Sequence, residues 1–243
     1  MEANNMNTMI LPVLPLRGMV VFPKAVIHFD VGRKHSIAAI NRAMKEDQLI
    51  FLSAQKDPTV NEPALTDLFG VGVVAKVVQI LRQPEDVTRV VLEGKYRAKV
   101  IAPIFDSKLT MAEVAPVPEK LLPPTAADVA MIRSVKSQFE SYLDVSAKMP
   151  PDIIFKVALC KYPGELADYI ASTMYLDYQT KQSILELFDA SRRLETVLDV
   201  LIDETYISKL EHEIELKAKS RIDESQQIYF LREQKRAIEE QLG

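Results

Sequence analysis

Apolar residues recur along this chain in two rhythms, and the point where one gives way to the other divides it. As far as about residue 116 they come in short runs: Ile10 to Leu16, Met19 to Phe22, Leu49 to Ala54, Val71 to Leu81, Val87 to Glu93, Arg97 to Ile104 and Leu109 to Val114. Runs of this length, rich in β-branched residues and bounded by turn formers, predict β-strands. Pro12, Pro15, Gly18 and Pro23 punctuate the first two. Proline cannot donate to a sheet ladder, so these strands are expected at an open sheet edge. Arg82-Gln83-Pro84-Glu85-Asp86 separates two of the runs as the loop of a hairpin. One segment breaks the rhythm: behind Val31-Gly32-Arg33-Lys34, residues Ile37, Ile40 and Met44 have helical spacing, which predicts one amphipathic helix among the strands.

Pro116, Pro118, Pro123 and Pro124 form a stiff linker, and after it the period becomes 3.6. Thr125 and Asp128 fit a capping box that opens a helix carrying Val129, Ile132, Val135, Phe139, Tyr142 and Leu143. Pro150-Pro151 and Pro163-Gly164 each stop one helix and start the next. From Asp189 to Gly243 neither Pro nor Gly interrupts the interior, which predicts one helix of roughly 50 residues, about 75 Å long. A heptad seam from Ile207 runs through Leu210, Ile214, Lys217, Arg221, Glu224, Ile228, Leu231, Lys235, Ile238 and Leu242, with seven of eleven positions apolar. The seam is apolar at its ends and charged in its middle. The Ile228-Tyr229-Phe230-Leu231 cluster has no short-range partner, so the helix is expected to project and meet another chain or domain there.

The predicted fold class is α+β: an antiparallel β pseudobarrel with one inserted helix, then an all-α bundle ending in a long projecting helix. The expected divisions are a β-rich domain over 1–116, a Pro-rich linker over 117–124, a helical bundle over 125–188 and the long helix over 189–243.

A chain of 243 residues, 48% hydrophobic and 26% charged, suits a globular protein of one or two domains with an extension. A formal net charge of −4 argues against nucleic acid held by phosphate neutralisation, which needs a basic face. The single Cys160 cannot form an internal disulfide, and Met1-Glu2-Ala3-Asn4-Asn5 lacks the basic and apolar regions of a signal peptide. No apolar run approaches the roughly 18 residues of a membrane span. These features lead to an expected cytoplasmic location without membrane partners.

Reactive chemistry is not assembled. Gly94-Lys95 lacks the upstream Gly and following hydroxyl of a phosphate loop. His28, His35 and His212 stand far apart without metal-ligand spacing, and Cys160 falls on an apolar helix face as an inert thiol. Pairs such as Asp203-Glu204 and Glu239-Glu240 are solvated helix faces. No catalytic, metal or cofactor residues are therefore assigned.

Several ordered motifs carry a resemblance. Leu11-Pro12-Val13-Leu14-Pro15-Leu16-Arg17, Val20-Val21-Phe22-Pro23 and Val31-Gly32-Arg33 with Ser36-Ile37 open it; Gln55-Lys56-Asp57-Pro58, Glu62-Pro63, Val71-Gly72 and Val91-Leu92-Glu93-Gly94 with Arg97-Ala98 continue it. Pro163-Gly164 with Leu166-Ala167-Asp168 and Ile170-Ala171, then Tyr229 and Leu231-Arg232-Glu233-Gln234 with Ala237-Ile238 and Leu242-Gly243, complete it. The chain resembles, over essentially its whole length, the N-terminal region of the bacterial Lon family of ATP-dependent serine proteases. Lys24-Ala25 stand where that family commonly has Gly-Met. The resemblance implies a PUA-like β domain, an ATPase with its ATP and Mg and a Ser-Lys peptidase beyond Gly243, and a hexameric parent. The partners it implies are unfolded or damaged polypeptides and further copies of the chain, which as a fragment is expected to form a weak dimer.

Substrate recognition and oligomer assembly are thus the expected function. A free-standing adaptor with the same kind of β domain is the alternative, and an RNA-binding PUA-like module a remoter one. Met19 to Phe22 is a continuous apolar run, whereas a strand buried on one face alternates. Either all four residues are buried beneath the inserted helix, or Phe22-Pro23 form an apolar patch, with Ile80-Leu81 as a second contact, that binds unfolded chains.

Overall fold

β5, the strand Thr88–Ile104, is long enough to serve three partners, and the β part is built on it. A computed structural model describes residues 8–82, 88–106, 109–119, 122–145 and 151–243; the expected hairpin loop after Arg82 and the stop at Pro150 lie outside these. β4 (Val71–Arg82) runs antiparallel along β5. β2 (Val26–Val31) pairs with its first half and β6 (Met111–Pro116) with its second. β6 also pairs with β1 (Met9–Leu16), β1 with β3 (Leu49–Ala54), and β3 with β4. The pairings β5-β4-β3-β1-β6 therefore return to β5 as a ring, with β2 outside it at the end of the sheet. The expected pseudobarrel is met as far as this ring.

Three expectations are corrected. The sheet is mixed, because β1 and β3 are parallel from Val13↔Phe51 to Leu16↔Ala54. A parallel pair needs a crossover, which the inserted helix α1 (Lys34–Lys45) helps supply, and residue periodicity carries no strand direction. β1, for all its prolines, is not at the open edge: Met9–Pro12 pair with β6 and Val13–Leu16 with β3. By changing partners halfway, each half keeps one free side, where a missing N–H costs no ladder bond. Met19 to Phe22 forms no strand, whereas Val26–Val31, unassigned from the sequence, does.

α1 lies against β1 and β3 through Ser36, Ala39 and Ala43, whose small side chains allow close approach, and through Ile40, which fills the core, while Met44 is turned outward. Two apolar clusters fill the sheet, one holding Leu14, Ile40, Ile50 and Leu92 and the other Leu11, Val13, Phe51 and Val114.

The helices are α2 (Ala126–Val145), α3 (Pro151–Leu159), α4 (Pro163–Thr173), α5 (Tyr178–Glu186) and α6 (Ala190–Leu242). Thr125 and Asp128 form the expected capping box: the Asp128 carboxylate accepts from Thr125 N at 2.9 Å, and Thr125 Oγ1 accepts from Asp128 N at 3.2 Å. Ser191 Oγ donates to the same carboxylate at 2.6 Å, tying the starts of α2 and α6 together. These bonds hold the Asp128 carboxyl below the usual carboxylate range, the bond from Ser191 first. α2 and α4 pack on the first part of α6 around Val135, Phe139, Leu166, Ile170, Leu194 and Leu201. Phe22 and Val73, from the strand-rich part, lie in this same cluster.

α6 has 53 residues, about 80 Å at 1.5 Å per residue. Thr205 is the last buried residue on it; Ile207, Leu210, Ile214, Ile228, Leu231 and Ile238 are all exposed, and the side chain of Leu242 lies outside the description. A helix within a protein gains most of its stability from packing, and this half has none against the described residues. Hydrogen exchange by mass spectrometry at micromolar protein should show amides of 211–240 exchanging about a hundredfold or more faster than those of 194–205. Equal protection of both halves would show that the outer half is held by contacts absent from the single chain.

Candidate functional site

Between the strand-rich part and the helices lies a cleft of about 810 Å³. Its first wall is the unbroken segment Val20 to Ile27. Within it the chain turns: Ala25 N donates to Phe22 O at 3.3 Å, Pro23 occupies the second position, and Lys24 has φ +63°. That is the geometry of a type II turn, which favours Gly at its third position. Lys24, where the resemblance has Gly, thus carries backbone strain of roughly 1–2 kcal/mol. Its ammonium reaches Glu165 on α4 at 2.6 Å, across the mouth of the cleft, but the pair is solvent-exposed and contributes little.

The opposite wall is Lys156, Leu159, Cys160 and Tyr169. Lys156 lies 5.8 Å from the centre of the Tyr169 ring, and Leu159 is exposed. Cys160 is half-buried; desolvation first, and then the nearby Glu165, push its thiol pKa up, with Lys136 and Lys24 opposing. A thiol so placed is a poor nucleophile. Among the described residues no group of His, Cys, Asp and Glu could hold a metal ion, and no helix is long and apolar enough to cross a membrane.

The floor is a cluster of four charges. Arg97 on β5 grips Asp168 on α4 bidentately, at 2.7 and 2.5 Å, and its Nε donates to Leu185 O at 2.9 Å. Arg193, in the first turn of α6, stands 2.9 Å from Asp168 and donates to Leu187 O at 2.6 Å and to Glu119 at 2.7 Å. Glu119, in the linker, is also 3.7 Å from Arg97. Both arginines and Asp168 are buried. Glu119 and Arg193 crowd Gly164 so closely that any side chain there would collide with them. The Pro163-Gly164 pair seen as a helix start is therefore also a site of close approach.

The predicted contact residues separate. Phe22 and Pro23 both line the cleft, but Phe22 is 0% exposed, seated in the helical core, so the expectation that it presents a surface is corrected. The run Val20 to Phe22 is continuous because its side chains serve two fronts: Val21 joins the sheet's cluster, Val20 and Phe22 that of the helices. Ile80 and Leu81 lie on opposite faces of β4, Ile80 packed against the sheet's core and Leu81 exposed. Leu81 pairs with Arg89, and Lys24 N donates to Gly94 O at 2.8 Å, so five residues of β5, about 17 Å, separate this position from the Phe22–Ala25 turn. The two contacts do not form one patch. Arg97, Glu119, Asp168 and Arg193 escaped the sequence reading as a site. Arg97 amid a β-run was the available signal, but nothing named its partners.

The sheet, the helical bundle and the cleft between them define a binding module. The sequence pattern of the ATP-dependent protease La (LON) substrate-binding domain matches residues 10–203, and the chain belongs to that family. Lon protease of Heliobacterium modesticaldum is 39% identical over 233 residues, covering 96% of this chain and 28% of that protein. Lon protease of Syntrophomonas wolfei is 40% identical over 233 residues, covering 96% of this chain and 29% of its own length. The N-terminal domain of Mycobacterium avium complex Lon protease superposes with a TM-score of 0.65 at 26% identity, covering 82% of this chain and 98% of that one. A Lon N-terminal domain protein from Xanthomonas campestris, at 16% identity and TM-score 0.58, shares the fold over 79% of this chain and 98% of its own. The chain spans about three tenths of the length of the curated relatives it matches.

Two outcomes follow from the geometry. Arg97→Ala leaves Asp168 buried with one fewer cation, and should lower unfolding stability in urea by about 3–5 kcal/mol; a loss under about 1 kcal/mol would mean that Arg193 suffices. Lys24→Gly relieves the positive φ at the cost of a surface ion pair, and should raise stability by up to about 1 kcal/mol. A lower midpoint for this variant would show that the Lys24–Glu165 contact matters more than the strain.

Proposed function

We propose that this chain is a non-catalytic region that captures unfolded or damaged polypeptide for a cytoplasmic ATP-dependent protease and takes part in assembling its oligomer. The observation that carries this is the open, partly apolar cleft within a chain of the substrate-binding family. ATP and Mg would act in other parts of such a protein. In this proposal the 1–116 part supplies one wall of the capture site, 125–188 the other, and the 189–243 helix the arm toward further copies. Pro23, Leu159 and Tyr169 are the contacts in the cleft, with Ile80 and Leu81 a second contact on the strands; buried Phe22 supports the wall.

Capture of an extended, disordered chain loses ordering entropy, so one copy should bind weakly and six together more strongly. The seam of α6, with Ile207, Leu210, Ile214, Ile228, Leu231 and Ile238 exposed, supports association: its seven aliphatic positions give about 10–20 kcal/mol at most, against roughly 4–15 for association. The near balance corresponds to a weak dimer of the isolated chain.

A reduced, permanently unfolded protein titrated against the chain tests the capture role. Leu159→Asp and Leu81→Ser should stay folded by circular dichroism and bind about fivefold or more weakly. Phe22→Ser should instead lose about 3–5 kcal/mol of stability as a core residue. Folded Leu159 and Leu81 variants that bind like the parent would place capture elsewhere.

A further inference from the structure

β2 ends the sheet. It pairs with β5 in unbroken register from Val26↔Glu93 to Val31↔Thr88, and no strand among the described residues pairs with its other side. The alternate backbone N–H and C=O groups of the strand are therefore directed away from any ladder. Stable proteins guard such an edge with proline, lysine or a bulge. The sequence Val-Ile-His-Phe-Asp-Val has none of these, and its one carboxylate, Asp30, is paired with Arg89 at 2.7 Å.

The position of this edge gives it a use. Val26 and Ile27, at its start, line the cleft. Asp30, near its end, pairs with Arg89, which on its other side pairs with Leu81. The free edge thus starts at the cleft and runs about 20 Å along its six residues, as far as the level of Leu81, which stands two strands away across β5. Of the basic side chains at the cleft, Arg97 and Arg193 are matched by Asp168 and Glu119, Lys24 by Glu165 and Lys95 by Glu93, which leaves Lys156, beside the Tyr169 ring, without a carboxylate in these ion pairs. That ammonium favours a carboxylate.

We propose that an extended segment of the captured polypeptide adds to β2 as a further strand. One end, carrying an acidic side chain, sits in the cleft near Lys156, and the other runs along β2 toward Val31. Main-chain hydrogen bonds would give affinity without demanding a sequence, and Lys156 would set a preference for acidic residues on one side. This inference rests on the capture role proposed above and names the chemistry of its substrate.

The probes are a ten-residue synthetic peptide, alternating apolar and polar residues with a Glu near one end, and the unfolded protein used above. Binding of either to the full chain should slow hydrogen exchange of the Val26–Val31 amides about tenfold or more. Methylating alternate backbone nitrogens of the peptide should weaken it about tenfold, and Glu→Lys in the peptide about threefold. Capture of the unfolded protein with unchanged exchange in β2, or equal binding of the N-methylated peptide, would overturn strand addition while leaving the capture role intact. Failure of both probes to bind would overturn the two together.

Discussion

The buried contact between Arg97 and Asp168 is the constraint on which the arrangement depends. A guanidinium from the middle of β5 and a carboxylate from the middle of α4 are withdrawn from water together, and each would be costly alone. Because the cost falls on any geometry that separates them, the pair specifies how the sheet and the helices face each other. Arg193 and Glu119 extend the constraint to α6 and the linker, so one cluster joins β5, α4, α6 and the linker at the base of the cleft. Apolar packing through Phe22 and Val73 adds attraction at the same junction but little direction.

This junction also explains why the cleft stays open. Its floor is made of charges already matched to one another, and further closure would have to desolvate Glu119 and the Lys24–Glu165 pair at the mouth. The walls come from segments with different duties: the Phe22–Ala25 turn, stiffened by Pro23, and the junction of α3 and α4, stiffened by Pro163. A cleft held apart by rigid walls retains exposed apolar surface that would otherwise collapse.

Local pattern and long-range pairing were unequally legible in the sequence. The change of period at the proline-rich linker, the Thr125–Asp128 capping box and the uninterrupted run into α6 are properties of neighbours in the chain, and each is found where the residues indicate. The parallel partnership of β1 with β3, and the change of partner that places Pro12 and Pro15 inside the sheet, depend on residues about forty and about a hundred positions away. Periodicity has no access to those. The apolar run at Val20 to Phe22 was ambiguous for a related reason: a segment lodged between two cores looks the same as one with a free face. The charged cluster was hidden because its four members come from four elements, and pairing leaves no trace in local composition.

One consequence concerns the outer part of α6. Beyond Thr205 it is a rod of about 55 Å fixed only at its root, so a tilt of about 5° at the root carries its tip about 5 Å. The rod continues the packed part of the same helix, from Arg193 to Thr205, and at the start of that part Arg193 holds Glu119 and Asp168, which line the cleft. The base of the lever thus begins at the candidate site, and a tilt of that base too small to rearrange a side chain there becomes the width of a strand spacing at the far end.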